Sequence, residues 1–303
     1  MPELPDITIY CEALERVILH EPLEKVVAYS PFLVRSVEPP LKSLEGHFVI
    51  GISRLGKRIV LHFDHGPCLI IHLMISGRLL WKEGVAEGMR PGGKNTQALL
   101  QFMSGHVLFT EVSTKRRASL TVVASPGELP KHNPGGIEPL ECSLEEFQTA
   151  LTSDNRTLKR ALTQPSRFSG IGNAYSDEIL HAAKLSPLRL TQSLKPEEIE
   201  RLYLATQESL IRWTEILRAQ FKGKFPGKGT ITAFRADFAA HGRFGKPCPV
   251  CGKPIQRISY AENETNYCAQ CQNEGRLLAD RALSRLLKDD WPRTLEELIG
   301  EDS

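Results

Sequence analysis

The 303-residue chain lacks several features that would settle its class quickly. It has no apolar run near the ~20 residues needed to span a bilayer. It also has no basic-then-apolar leader pattern at its start, so the expectation is an intracellular protein, cytoplasmic or nucleoid-associated, with no membrane partner. It has no internal repeat, which removes solenoids and propellers. It has little net charge, only +2, so the total does not suggest nucleic acid. The near-neutral sum hides an asymmetry, because 220–258 carry eight basic side chains against one acid, and 259–303 carry five basic against ten acidic. Local rather than total charge governs phosphate binding, and a basic segment beside an acidic tail fits either a nucleic-acid surface or a solvated loop.

A hydrophobic content of 41% is enough for real cores, and this length favours two domains. Residues 7–20 read as a helix started by Pro5-Asp6, with Ile9, Leu14, Val17 and Ile18 on one face. The texture then changes to strands at 25–37, 48–54, 58–63, 68–74, 98–102, 106–112 and 119–123, separated by Gly- and Asp-containing turns. Several short strands at this spacing predict an antiparallel sandwich or flattened barrel. Residues 125–140 hold four prolines and three glycines and read as a linker. Helices follow, at 143 onward behind a Ser143/Glu146 capping box, at 155–163, at 173–184 and at 195–221. A charged amphipathic stretch at 277–298 ends the chain.

Three stretches carry chemistry. The first is Met1-Pro2-Glu3-Leu4-Pro5-Asp6. Removal of Met1 would expose Pro2 as a secondary amine, titrating near pH ~8 and partly neutral in the cell. Such an amine attacks an aldehyde-like carbon to give an iminium ion, an electron sink. Glu3 beside it can move protons. An ordinary frayed N-terminus fits the same six residues. The second is Cys248-Pro249-Val250-Cys251, sixteen residues, then Cys268-Ala269-Gln270-Cys271. This is four-thiolate zinc spacing with no position left open for water, so one structural zinc ion is expected. The third is Ser169-Gly170-Ile171-Gly172-Asn173, a glycine turn before a helix, which suits an anion or a simple packing corner. Lys57, in the basic turn Arg54-Leu55-Gly56-Lys57-Arg58, fits either a phosphate contact or a solvated surface.

Taken in order, Pro2-Glu3-Leu4-Pro5, Gly56-Lys57, His72-Leu73 with Ser76-Gly77, Ile137-Glu138-Pro139-Leu140, 170–178, Gly242-Arg243 with Pro247, and the four cysteines closing at Gln272 resemble the formamidopyrimidine-DNA glycosylase/endonuclease VIII family, over about residues 2–272. The resemblance implies an α+β chain. It would have an N-terminal antiparallel β-sandwich domain with an N-terminal helix (1–124), a linker (125–140), a helix-two-turns-helix domain (141–235), a zinc finger (236–273) and a charged extension (274–303). DNA would lie in a cleft between the two main domains. It implies a monomeric base-excision enzyme acting on DNA with damaged bases or abasic sites, flipping the nucleotide out. Pro2 would be the nucleophile, Glu3 the proton-transfer carboxylate and Lys57 a helper near the lesion phosphate. His72, Lys159 and Asn173 would contact DNA phosphates, and Cys248, Cys251, Cys268 and Cys271 would hold zinc.

Four positions depart from the family pattern. Asn263, flanked by Glu262 and Glu264, stands where the finger arginine is expected. Residues 114–117 hold charge but no aromatic where an Arg-Phe pair is expected, Ile75 stands at the methionine wedge, and about thirty residues follow the finger. An altered lesion range follows from these. Two other classes stay open: a non-catalytic damaged-DNA-binding protein, and a zinc-ribbon adaptor using its acidic tail.

Overall fold

The computed structural model describes residues 1–88, 90–232, 234–260, 263–279 and 292–299. The chain forms two compact units, one of residues 1–135 with 212–233 and one of 136–211 with the described residues from 234 onward.

The first unit opens with α1 (Leu4–Ile18), whose buried Ile7, Tyr10, Leu14 and Ile18 lie on one stripe. Eight strands follow: β1 (Leu23–Ala28), β2 (Val49–Leu55), β3 (Arg58–Phe63), β4 (Cys68–His72), β5 (Gly77–Glu83), β6 (Thr96–Phe102), β7 (Gly105–Glu111) and β8 (Ser119–Val123). They form two four-stranded antiparallel sheets, ordered β1-β6-β7-β5 and β2-β3-β4-β8. This is the expected sandwich. Alternation along β3 and β4 shows how the period of two sorts side chains. Ile59, Leu61, Phe63, Leu69 and Ile71 join the main core with α1 and the other sheet. Val60, Cys68 and Ile70 face the opposite side, under Leu129 of the 3-10 turn Pro126–His132.

Two departures from the expected strands have local reasons. The strand expected over 25–37 stops at Ala28, because Pro31, which lacks an N–H, begins a 3-10 turn after Ser30. The edge strand β5 was not expected. Only Gly77 and Leu79 of its seven residues are buried, so the alternating signal is weak.

In the second unit α2 (Leu144–Thr152) begins at the expected capping box. The Glu146 N–H donates to Ser143 Oγ at 3.2 Å and the Ser143 N–H to Glu146 Oε2 at 2.8 Å. α3 (Leu158–Leu162) and α4 (Asn173–Ala182) follow, then α5 (Pro196–Phe221), whose residues 196–211 belong to this unit and 212–221 to the first. Phe147 and Phe168 pack with ring centroids 4.9 Å apart at its centre. The finger is the hairpin β9 (Gln256–Tyr260) with β10 (Asn263–Tyr267), followed by α6 (Ala269–Asn273). The chain past the finger folds back on it. The Leu295 N–H donates to Gly275 O, the Leu278 N–H to the Tyr267 hydroxyl, and Leu295 is buried with Ile258, Tyr267 and Ala269. Most of the amphipathic stretch expected over 277–298, namely 280–291, lies outside the described residues. Among the described residues, no helix is long and apolar enough to cross a membrane.

Candidate functional site

The N-terminus is built into the first unit. Pro2 and Glu3 are buried at the head of α1, with Pro5 in its first turn. The Asp6 carboxylate accepts the Glu3 N–H at 3.0 Å and so fixes the entry to the helix. The terminal amine, carried here by Met1, is pushed below its ordinary value chiefly by burial. Glu3 and Asp6 oppose that shift, while Arg78 and Lys57 reinforce it. The N-terminus therefore feels the charges of both carboxylates and both cations, although 54 residues separate Glu3 and Lys57 in sequence. A less basic amine is more often neutral and nucleophilic near pH 7.

Lys57 owes its position to the β2–β3 turn. Leu55 pairs with Arg58, leaving Gly56-Lys57 as a two-residue connection. Gly56 takes φ +61, the conformation such a turn requires at its first central position. Arg54 Nη1 donates to Gly56 O at 2.9 Å and stiffens the corner. Arg78, which sequence reading missed, is anchored by donation from Nε to Ile231 O at 2.7 Å. Its only sequence signal was its place next to Gly77. A Cβ on Gly77 would lie 2.2 Å from Leu73 O, so glycine is required there.

His72 ends β4, opposite Arg58 and Ser119. Burial, then Arg58 and Lys57, push its imidazole down to about 4. Near neutral pH it is an uncharged ring, able to give a hydrogen bond but not a cation's attraction. After it, the turn carrying Ile75 (57% exposed) meets the 112–118 loop, where the Ser113 N–H donates to Ser76 Oγ at 3.2 Å. Buried Glu111 shapes that loop by accepting from the N–H groups of Arg117 (3.0 Å) and Ala118 (3.2 Å). Ile75, exposed Val112 and the basic 115–117 segment thus share one rim.

The second unit holds the remaining predicted residues. The Ile137-Glu138 motif fastens the glycine turn ahead of α4: Ile137 bridges Phe168, and Ser169 Oγ donates to Glu138 Oε1 at 2.5 Å. Gly170 (φ +79) then swings the chain into α4 with Asn173 as its first residue. Lys159 and Asn173 do meet, but the lysine looks inward. Its Nζ donates to Asn173 O at 2.6 Å and to Asp177 Oδ1 at 2.5 Å, with the lysine side chain 10% and the aspartate side chain 0% exposed. The other Asp177 oxygen takes His241 Nδ1 at 2.7 Å and the Asn266 N–H at 3.1 Å. Asn173 Nδ2 donates to Glu264 O at 2.9 Å, tying the helix start to the finger. Glu178 accepts the N–H groups of Ala239, Ala240 and His241 at 2.7–2.9 Å, while burial pushes its carboxyl upward. Sequence reading found Lys159 and Asn173 but missed Asp177 and His241 as their framework.

The four cysteines converge. Their sulfurs lie within 4.8 Å of one another, and none is in a disulfide. In each knuckle a backbone N–H is directed at a sulfur, Val250 N at Cys248 Sγ (3.5 Å) and Cys271 N at Cys268 Sγ (3.4 Å). Donors aimed at sulfur suit thiolates, and four thiolates with no open position suit tetrahedral zinc. At the finger tip, Asn263 pairs with Tyr260 and is exposed. Arg257 lies over the Phe244 ring (4.5 Å) and 3.6 Å from Glu264. Glu262 lies outside the described residues.

Comparison with known proteins matches three regions of the chain. Residues 1–119 match the formamidopyrimidine-DNA glycosylase N-terminal domain, 136–217 the H2TH domain of the same enzymes, and 245–273 the zinc finger found in FPG and IleRS. The formamidopyrimidine-DNA glycosylase of Heliobacterium modesticaldum is 32% identical over 279 residues, 90% of this chain and 100% of that one. The chain belongs to the formamidopyrimidine-DNA glycosylase family. The Moorella thermoacetica member is 30% identical over 263 residues, 85% of this chain and 94% of that one. Among solved structures, the MutM (Fpg) protein of Thermus thermophilus aligns at 30% identity and TM-score 0.75, covering 90% of this chain and 100% of its own. Lactococcus lactis Fpg, in complex with DNA containing N7-benzyl-Fapy-dG, aligns at 25% identity and TM-score 0.77 over the same shares. The formamidopyrimidine-DNA glycosylase fold thus accounts for the sandwich, the H2TH helices and a structural zinc finger. The relatives match about nine-tenths of this chain at nearly their full length.

Proposed function

We propose that this protein is a DNA repair glycosylase that excises damaged bases through its N-terminal proline and cuts the strand at the resulting abasic site. The observation that carries this reading is the N-terminus itself, buried beside Glu3 and Lys57 with an amine made less basic by that burial. Once Met1 is removed, Pro2 N attacks C1′ of an extruded nucleotide. The N–C1′ bond forms and the bond from C1′ to the base breaks, with the electron pair leaving on the base, which takes up a proton. Glu3 is placed to move protons between the sugar and the departing groups. Pro2 N loses its proton, the C1′–O4′ bond breaks as the sugar ring opens with a proton passing to O4′, and the iminium ion so formed at C1′ acidifies C2′. Loss of that proton expels the 3′ phosphate, and a second elimination expels the 5′ phosphate. Water finally releases Pro2. Lys57 supplies positive charge for the phosphate at the lesion.

For the second unit we propose that the start of α4, the positive end of the helix dipole, receives a DNA phosphate near Asn173. Lys159, paired with Asp177, contributes from behind by holding Asn173 O. Zinc, when bound, supplies folding free energy to the finger and takes no part in the reaction. The finger tip has Asn263 in place of a guanidinium, and a charge-assisted hydrogen bond contributes on the order of 1.5–3 kcal/mol. We therefore propose that abasic or already unpaired sites are handled better than a small oxidised purine in an intact duplex, since less opening energy is needed.

The test is borohydride trapping on duplex DNA with one abasic site. A covalent adduct at Pro2, located by mass spectrometry and lost in Pro2→Gly, is expected. No adduct in wild-type protein that lacks Met1 and binds the DNA would leave a non-catalytic binding protein. An adduct that persists undiminished in Pro2→Gly would remove Pro2 from the mechanism.

A further inference from the structure

One face of α4 does more than present an anion site. Asn173, Asp177 and His181 recur at intervals of four, so they stack along one side of the helix. All three reach the finger. Asn173 holds Glu264 O, Asp177 holds the Asn266 N–H, and His181 Nε2 lies 3.2 Å from Cys248 Sγ. His181 is 6% exposed and Cys248 2%, so the contact is dry.

A zinc-bound thiolate has only lone pairs to offer. A ring nitrogen in hydrogen-bond contact with it must therefore carry the hydrogen. We propose that His181 donates its Nε2–H to the Cys248 thiolate and is a positioning residue of the zinc centre. The finger itself directs the Val250 N–H at this sulfur from 3.5 Å, while the closer imidazole comes from a helix 67 residues earlier. Its effect is electrostatic. Draining charge from one of four thiolates lowers their mutual repulsion around the metal. Its position also joins zinc retention to the start of α4 through one stiff helix of ten residues. The inference concerns metal retention alone and does not rest on the proposed activity.

The experiment uses the zinc-loaded full chain without DNA. Zinc transfer to the chromogenic chelator 4-(2-pyridylazo)resorcinol is timed for wild type, His181→Phe, His181→Ala and His181→Gln. Phe fills the ring's space and Ala avoids any clash, and neither has a donor. Gln returns an N–H close to the position of Nε2. Partners of metal ligands typically matter by roughly 10–100-fold in metal affinity. Release from the Phe and Ala variants should accelerate by about that factor, with Gln restoring most of it. A folded Phe or Ala variant holding one equivalent of zinc and releasing it at the wild-type rate overturns the proposal, as does Gln behaving like Phe. Should neither donor-free variant fold, wild type decides. Nitrogen-15 shifts of the His181 ring showing hydrogen on Nε2 support the proposal, and an unprotonated Nε2 refutes it.

Discussion

Replacing Asp177 by Ala is the sharpest mechanical test of the second unit. The carboxylate is fully buried and serves three partners: Lys159 Nζ at 2.5 Å, His241 Nδ1 at 2.7 Å and the Asn266 N–H at 3.1 Å. Its removal strands a lysine ammonium whose side chain is 10% exposed. Breaking a buried pair from one side costs about 3–5 kcal/mol, because the surviving charge keeps its desolvation penalty. The orphaned Asn266 N–H belongs to the same range, since the losses share one carboxylate and do not add. At about 2–4 °C per kcal/mol for a unit of this size, the melting temperature should fall by roughly 10 °C. Replacing the pair outright, with Lys159→Met and Asp177→Leu together, removes both charges and should recover much of the loss. Urea unfolding followed by circular dichroism gives the free energies, and hydrogen exchange at the β9–β10 amides locates the damage. A single-variant cost below about 1 kcal/mol, or a double variant as unstable as the two singles summed, would refute the reasoning that an uncompensated charge sets the cost.

His72 gives a pH prediction. Its folded pKa of about 4 lies below the unfolded value near 6.5, so the unfolded chain binds the proton first. Stability from this group is therefore complete above pH ~6.5 and is lost as pH falls towards 4; His72→Gln should flatten that limb of a stability–pH curve. Leu295 is 2% exposed against Ile258, Tyr267 and Ala269, so Leu295→Ala should cost about 2–5 kcal/mol and loosen the finger, read by hydrogen exchange at Tyr267; unchanged protection would make the contact incidental. Cys268→Ser should drop bound zinc well below one equivalent and unfold β9–β10, as seen by metal analysis and circular dichroism. Asn263→Arg should raise cleavage of an 8-oxoguanine duplex relative to an abasic one and steepen its salt dependence, and equal ratios in variant and parent would contradict the finger-tip reading.

Much of the fold was legible in the sequence because its signals are local. Strand β3 and strand β8 occupy the expected residues, since each is a run of β-branched and large apolar side chains closed by turn residues. The Ser143 cap was equally plain, as its two hydrogen bonds span three residues. The four cysteines were readable because a knuckle fixes its own spacing. The charge pattern was less faithful. The basic run over 220–258 counts Arg243 and Arg257, yet Arg243 Nη1 donates to Ala236 O, and Arg257 is shared between Phe244 and Glu264. A count of cations does not say which are already in use.

The parts of the site that were not legible have a common physical origin: their partners are distant in sequence. Arg78 is recognisable at the N-terminus only once Ile231 O has fixed its guanidinium, a contact across 153 residues. The family resemblance implies a phosphate contact for Lys159, whereas in the fold Asp177 and Asn173 O turn it inward. That turn alters the chemistry. A lysine bonded to the first carbonyl of α4 and neutralised by a buried carboxylate would, in the proposed phosphate site, act mainly by holding Asn173 and the helix start in place. The helix in turn holds the finger at Glu264, Asn266 and Cys248. The anion site proposed for the second unit is therefore not a set of independent cations. It is a helix terminus whose aim depends on Asp177, and a perturbation at this buried carboxylate should reach both the phosphate site and the zinc finger.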